Sequence, residues 1–140
     1  MSDEQFDELM ARLAGNPDDP ELVREVAYAH DRRGLEHEAV PYYGRALALR
    51  ADDRLGIFTG YGSTLRVIGR FEDAVKVFEQ GLAEFPGDPA LRAFLAMALY
   101  NRGDARRAVS TLLTLLAEKD QVGPYGKAVA YYAENLDETI

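Results

Sequence analysis

The strongest constraint on this chain is that it repeats itself. Three segments of 34 residues, beginning at Pro20, Leu55 and Pro89, align with one another, and Arg54 is a single residue inserted between the first two. A glycine holds the fifteenth place of each (Gly34, Gly69, Gly103) and an alanine the twentieth (Ala39, Ala74, Ala108). Tyr43, Phe78 and Leu112 follow four residues later, and Ala46, Gly81 and Leu115 three beyond those. Apolar residues on either side of each glycine recur every third or fourth position, the period of an amphipathic helix. Each unit therefore reads as helix A, turn, helix B. A single helix pair cannot bury its own apolar faces, so such units stack.

Local chemistry places the helix ends. Asp19 and Asp88 precede Pro20 and Pro89, so each carboxylate can accept orphan N–H groups while proline takes the first helical position. Gly34, Gly69 and Gly103 end helix A by supplying a left-handed residue. Pro86, in "AEFPGD", ends the second unit. Residues 2–14 read as a preceding helix, with Ser2 and Gln5 as a capping box and Phe6, Leu9, Met10 and Leu13 as its apolar face. Residues 124–138 read as a final helix with Tyr125, Val129, Tyr132 and Leu136 on one stripe. Both flanks are expected to cap a stack of units at 20–53, 55–88 and 89–122. The expectation is one domain, 1–140: an all-α, right-handed solenoid of eight helices. Pro41 sits badly, because inside helix B of the first unit it should kink or loosen a turn.

The stretch "FTGYGSTLR" from Phe58 tests a rival reading, a phosphate-cradling loop. A dinucleotide loop needs a third glycine where Leu65 stands, and a P-loop needs a lysine that neither Gly60 nor Gly62 leads to. No strand pattern precedes it, so the stretch is helical.

In that stretch the second unit resembles the tetratricopeptide repeat, with Phe58, Tyr61, Gly62, Leu65, Ala74, Phe78 and Pro86 in the pattern's slots. The resemblance covers residues 20–120. It is weaker in the first unit (Val23, Val26, Ala27 and His30 in the helix A slots), and the third has Arg92 and Asp120 at the aromatic and proline slots. The whole chain resembles short bacterial three-repeat proteins, tetratricopeptide repeat group five. The resemblance implies protein or peptide binding without catalysis, and a small residue at Gly62 so that helices A and B can touch. Gly60 has no such slot; it reads first as tolerated, at a cost of about 1 kcal/mol against alanine, and alternatively as a place where another group approaches the backbone closely.

Composition narrows the chemistry. With no cysteine there is no disulfide, thiolate metal site or cysteine nucleophile. The net charge of −8 repels phosphate backbones, which argues against nucleic acid as a partner. No apolar run is long enough for a membrane helix. The acidic start "MSDEQFDELM" is unlike a secretory signal, so the chain is expected in the cytoplasm. His30 falls in an inward helix A slot and is expected to be a packed, hydrogen-bonded imidazole, while His37 is expected in solvent. Ser2, Ser63 and Ser110 lack a base nearby in sequence, and no two carboxylates converge in an evident pocket. The expectation is a protein that is not an enzyme, with no catalytic residue, metal or cofactor.

What remains is the inner face that the resemblance assigns to the A helices. Its fifth places are Arg24, Thr59, Ala93 and, in the last helix, Lys127; its ninth are Tyr28, Ser63, Met97 and Tyr131. Its twelfth places are Asp31, Arg66, Tyr100 and Glu134. Glu21, Gly56, Ala90 and Phe94 line it as well. Such a groove suits an extended peptide or short helix with apolar anchors and an acidic group, since aromatics and arginine dominate binding energy. The family's carboxylate-clamp members need several basic and amide residues, and only Arg24 matches here. A row of arginines (Arg32, Arg33, Arg66, Arg70, Arg102, Arg106, Arg107) falls near the A–B turns. It reads either as helix C-terminal cations or as a dock for an acidic partner. The alternative function is self-association, a homodimer through Tyr125, Tyr131 and Tyr132.

Overall fold

Capping chemistry sets the helix limits. The computed structural model describes all of residues 1–140: α1 (Asp3–Gly15), α2 (Pro20–Arg32), α3 (Glu36–Ala48), α4 (Arg54–Val67), α5 (Phe71–Glu84), α6 (Pro89–Arg102), α7 (Ala105–Glu118), a 3₁₀ turn Gly123–Tyr125, and α8 (Gly126–Glu134). No strand forms. Ser2 and Gln5 make the reciprocal capping box of α1. Asp19 accepts from the Glu21 and Leu22 amides, and Asp88 from that of Leu91. The A helices α2, α4 and α6 each end on a glycine with positive φ: +72° at Gly34, +86° at Gly69 and +100° at Gly103. There the paired closing bonds form, for example Leu35 N–H to His30 O at 2.9 Å and Gly34 N–H to Asp31 O at 3.0 Å. None of the helices is long and apolar enough to cross a membrane.

Packing runs between neighbours: α2 on α3, α3 on α4, α4 on α5, α5 on α6 and α6 on α7. This is a helical solenoid. Adjacent A helices (α2 with α4, α4 with α6) also meet, whereas adjacent B helices do not pack to a comparable degree. The stack therefore bends toward its A side, which becomes the inner face. Two apolar clusters form the core, one under α1–α3 with Ile57, the other under α4–α7 with Val40. Tyr61 and Leu47 pack against both and join them. Phe78 is fully buried, and burial of a side chain that size contributes roughly 2–3 kcal/mol.

The glycines of "FTGYG" are packing residues. A Cβ on Gly62 would lie 2.3 Å from Cε1 of Phe78, so only glycine lets α5 close on α4. Gly60 is not merely tolerated, as the sequence suggests: a Cβ there would lie 2.7 Å from Oη of Tyr43 and 3.1 Å from its ring. Tyr43 comes from the preceding repeat, which is why the pattern within one unit does not reveal the need.

The helix α3 continues through Pro41 from Glu36 to Ala48, with Pro41 lacking the backbone N–H that would bond the carbonyl of residue 37. One other expectation is corrected. The final helix is shorter than 124–138, since Gly123, Pro124 and Tyr125 take a 3₁₀ turn and Asn135 ends α8. Its apolar stripe also differs. Ala133 is buried and Val129 and Leu136 half-buried, while Tyr125 and Tyr132 are exposed.

Candidate functional site

The inner face divides into a half tied up by internal bonds and an open half. In the first repeat, the Tyr28 hydroxyl donates to Asp53 Oδ2 at 2.9 Å. Arg24 donates to the Asp52 carbonyl at 3.0 Å and pairs with Glu21 at 2.6 Å. Asp31 accepts from Tyr43 at 2.6 Å and from Thr64 at 3.0 Å. Burial, then the hydrogen bond to a carboxylate, pushes both the Tyr28 and Tyr43 phenols well above the ordinary tyrosine value, so they remain donors. These groups clip α2, α3 and α4 together. Nearby, Thr59 bonds back to the Leu55 carbonyl at 2.8 Å, and Ser63 Oγ is enclosed without a hydrogen-bond partner.

The third repeat is different. Phe94 stacks on Phe78 with ring centroids 6.1 Å apart, and Ala93 is half-buried. Met97 and Tyr100, one turn apart on α6, are 43% and 68% exposed. With Arg66 they border an open pocket of ≈ 420 Å³ whose other wall is Val109 and Leu112 of α7. Arg66 is held at its edge by a 2.9 Å bond to Asn101 Oδ1.

The structure does not bring all the expected inner-face residues together. Lys127 and Tyr131 lie on α8, which packs against α7 and is not a packing partner of α6. Neither borders the pocket of Met97, and Tyr131 instead hydrogen-bonds Glu138. Sequence reasoning missed Val109 and Leu112 as surface residues because they occupy buried places in the other units. One signal was present: Leu113 stands where the first two units have Gly44 and Glu79, a hint that α8 leans on another stripe of α7.

The arginine row is neutralised from within. Arg33 pairs with Asp3 and lies over the Phe6 ring, its guanidinium carbon 4.5 Å from the centroid. Arg70 pairs with Asp73 at 2.8 Å, Arg102 with Glu72 at 3.1 Å, Arg107 with Glu79 at 3.1 Å and Arg106 with Asp137. Arg32 and Arg66 have no carboxylate partner, Arg66 bonding only the Asn101 amide. His30 is a packed imidazole as expected: its Nδ1 lies 2.7 Å from the Val26 carbonyl, and its ring sits between Phe6 and Tyr42. His37 is exposed.

A family model described as Tetratrico peptide repeat matches residues 20–136. No curated protein matches the chain.

Proposed function

The chain belongs to the tetratricopeptide repeat family, group five, and from that premise we propose that it is a scaffold that binds a segment of a partner protein on its inner face. The family is an interaction module, typically without catalysis. The observation that carries the reading is the pocket bordered by Arg66, Met97 and Tyr100. There, large apolar side chains stay in solvent, whereas the first repeat's half of the same face is tied up by internal hydrogen bonds. Exposed aromatic and thioether side chains beside an arginine are what a binding surface concentrates. Tyr28 and Arg24, held in place by their bonds to the Asp52–Asp53 turn, extend that surface as a rigid shoulder that needs little ordering when a partner arrives.

The test is capture of protein from the source cells by immobilised chain. Met97→Ala and Tyr28→Ala should each weaken capture roughly five- to tenfold while the helical circular dichroism is retained. Unaltered capture by both variants refutes the inner-face assignment.

A second reading is supported by α8. Tyr125, Tyr131 and Tyr132 are 67%, 50% and 50% exposed, a patch that could meet itself across a twofold axis. Sedimentation decides it: a monomer at tens of micromolar removes this reading.

A further inference from the structure

Each repeat offers the next one a seat, and the third seat is empty. The seat's floor is the twenty-first, twenty-fourth and twenty-eighth places of helix B. In the first unit these are Val40, Tyr43 and Leu47; in the second, Val75, Phe78 and Leu82. Val40 and Val75 are 8% and 2% exposed, and Tyr43 and Phe78 are 1% and 0%. The helices α4 and α6 lie over them. In the third unit the same places are Val109, Leu112 and Leu116, which are 45%, 42% and 41% exposed. The helix that follows does not cover them. The end of α8 lies beside Arg106, Arg107 and Ser110 instead, where the Arg106–Asp137 pair holds it. Val109 and Leu112, with Met97 and Tyr100 of α6, are left as a trough that no residue of α8 borders.

The two filled seats define what fits the empty one. Their occupants carry apolar side chains at the third, seventh and eleventh places: Ile57, Tyr61 and Leu65 in α4; Leu91, Leu95 and Leu99 in α6. Each also lays an aromatic ring on the residue at place twenty-four. Tyr61 stacks on Tyr43 with centroids 5.8 Å apart, and Phe94 on Phe78 at 6.1 Å. The twelfth place of each unit reaches across to the incoming helix, Asp31 to Thr64 and Arg66 to Asn101. Tyr100 holds the twelfth place of the third unit and has no helix to reach.

We propose that this trough is the seat of an amphipathic helix from a partner protein. That helix has apolar residues at i, i+4 and i+8 and an aromatic at i+3 or i+4 that packs on Leu112. The proposal rests on the chain being a binding module, and it extends the contact from the inner-face rim at Met97 and Tyr100 onto the open end of the stack at Val109, Leu112 and Leu116. The partner helix continues the solenoid as a fourth helix A, and its polar edge meets Tyr100.

The probe is a synthetic peptide of residues 87–104, the α6 segment, which carries the required pattern. It is titrated into the full chain while the methyl signals of Val109, Leu112 and Leu116 are followed by NMR. Saturable binding is expected, with shifts centred on those methyls and Met97. Affinity should fall at least tenfold for a peptide carrying Leu91→Asp, Leu95→Asp and Leu99→Asp, and for chains carrying Leu112→Asp or Val109→Asp. The chain variants are checked for unchanged helicity, and either one that stays folded suffices. Absence of saturable binding, or equal binding by folded variants, overturns the proposal. So does a free chain that sediments as a dimer and becomes a monomer with Leu112→Asp, because the occupant is then a second copy. If the seat fails while Tyr28→Ala still loses partner capture, the inner-face reading stands alone.

Discussion

Gly60 and Gly62 face different neighbours, and each is required by a ring from a B helix. Gly62 faces the fixed ring of Phe78, which is fully buried and cannot retreat. Gly62→Ala should therefore cost about 3 kcal/mol, the upper range for overpacking a tight core. Gly60 faces the hydroxyl end of Tyr43, and a methyl there pushes the ring off Asp31. Gly60→Ala should cost about 1–2 kcal/mol despite the gain of about 1 kcal/mol in helix propensity. Thermal unfolding of the two variants checks both. A melting temperature raised by Gly60→Ala would show that propensity outweighs packing. The need at Gly62 was legible from the sequence because it recurs in the repeat pattern. The need at Gly60 was not, because Tyr43 lies a repeat earlier and only the stacked structure brings its ring there.

Among the elements, α3 carries the most local conflict. Its N-cap, Leu35, makes no side-chain hydrogen bond, Pro41 lies in its interior, and it is followed by Arg50 at φ +60°. It stays helical because Ala39, Val40, Tyr43 and Ala46 are buried between α2 and α4, and tertiary packing outweighs the lost backbone bond. Pro41 itself is exposed, so Pro41→Ala removes the conflict while opening no cavity in the core. The variant should gain about 1 kcal/mol and melt a few degrees higher; an unchanged or lower melting temperature contradicts this account. The other element that departs from expectation is α8. The periodicity of Tyr125, Val129, Tyr132 and Leu136 indicated a helix, but not which stripe of α7 it would meet. Gly123 and Pro124 delay its start, and Ala133 rather than the tyrosines turns inward. Helix boundaries with a cap of their own, at Ser2, Asp19 and Asp88, were legible to within a residue. Boundaries set by tertiary contact were not.

For the whole molecule, ion pairs and buried phenols bracket the range of stability with pH. Hydrogen bonds from Arg54 and Arg92 hold the Glu84 and Glu118 carboxyls below their ordinary value of 4.5, and Arg33 holds Asp3 below its ordinary 3.8. Their contribution is complete above those ordinary values and is lost as pH falls from there through the lowered folded ones, so the melting temperature should drop below about pH 4.5, less steeply in high salt. Tyr28 and Tyr43 are shifted the other way from an ordinary value of 10.0. Their contribution is complete below pH 10 and is lost above it, because the unfolded chain releases those protons first. Phenolate absorbance of the folded chain above pH 10 should fall short of that of the unfolded chain by at least these two rings; full ionisation before unfolding would contradict it. The repeat architecture was legible at this scale because the period is in the sequence. The open third seat was not, since exposure of Leu112 depends on where α8 settles. One further consequence follows from packing that is extensive only between elements one or two places apart along the chain. Contacts this local favour rapid folding, so during synthesis each unit can find its supports as it leaves the ribosome, and the growing polypeptide can be built up like a wall, course upon course.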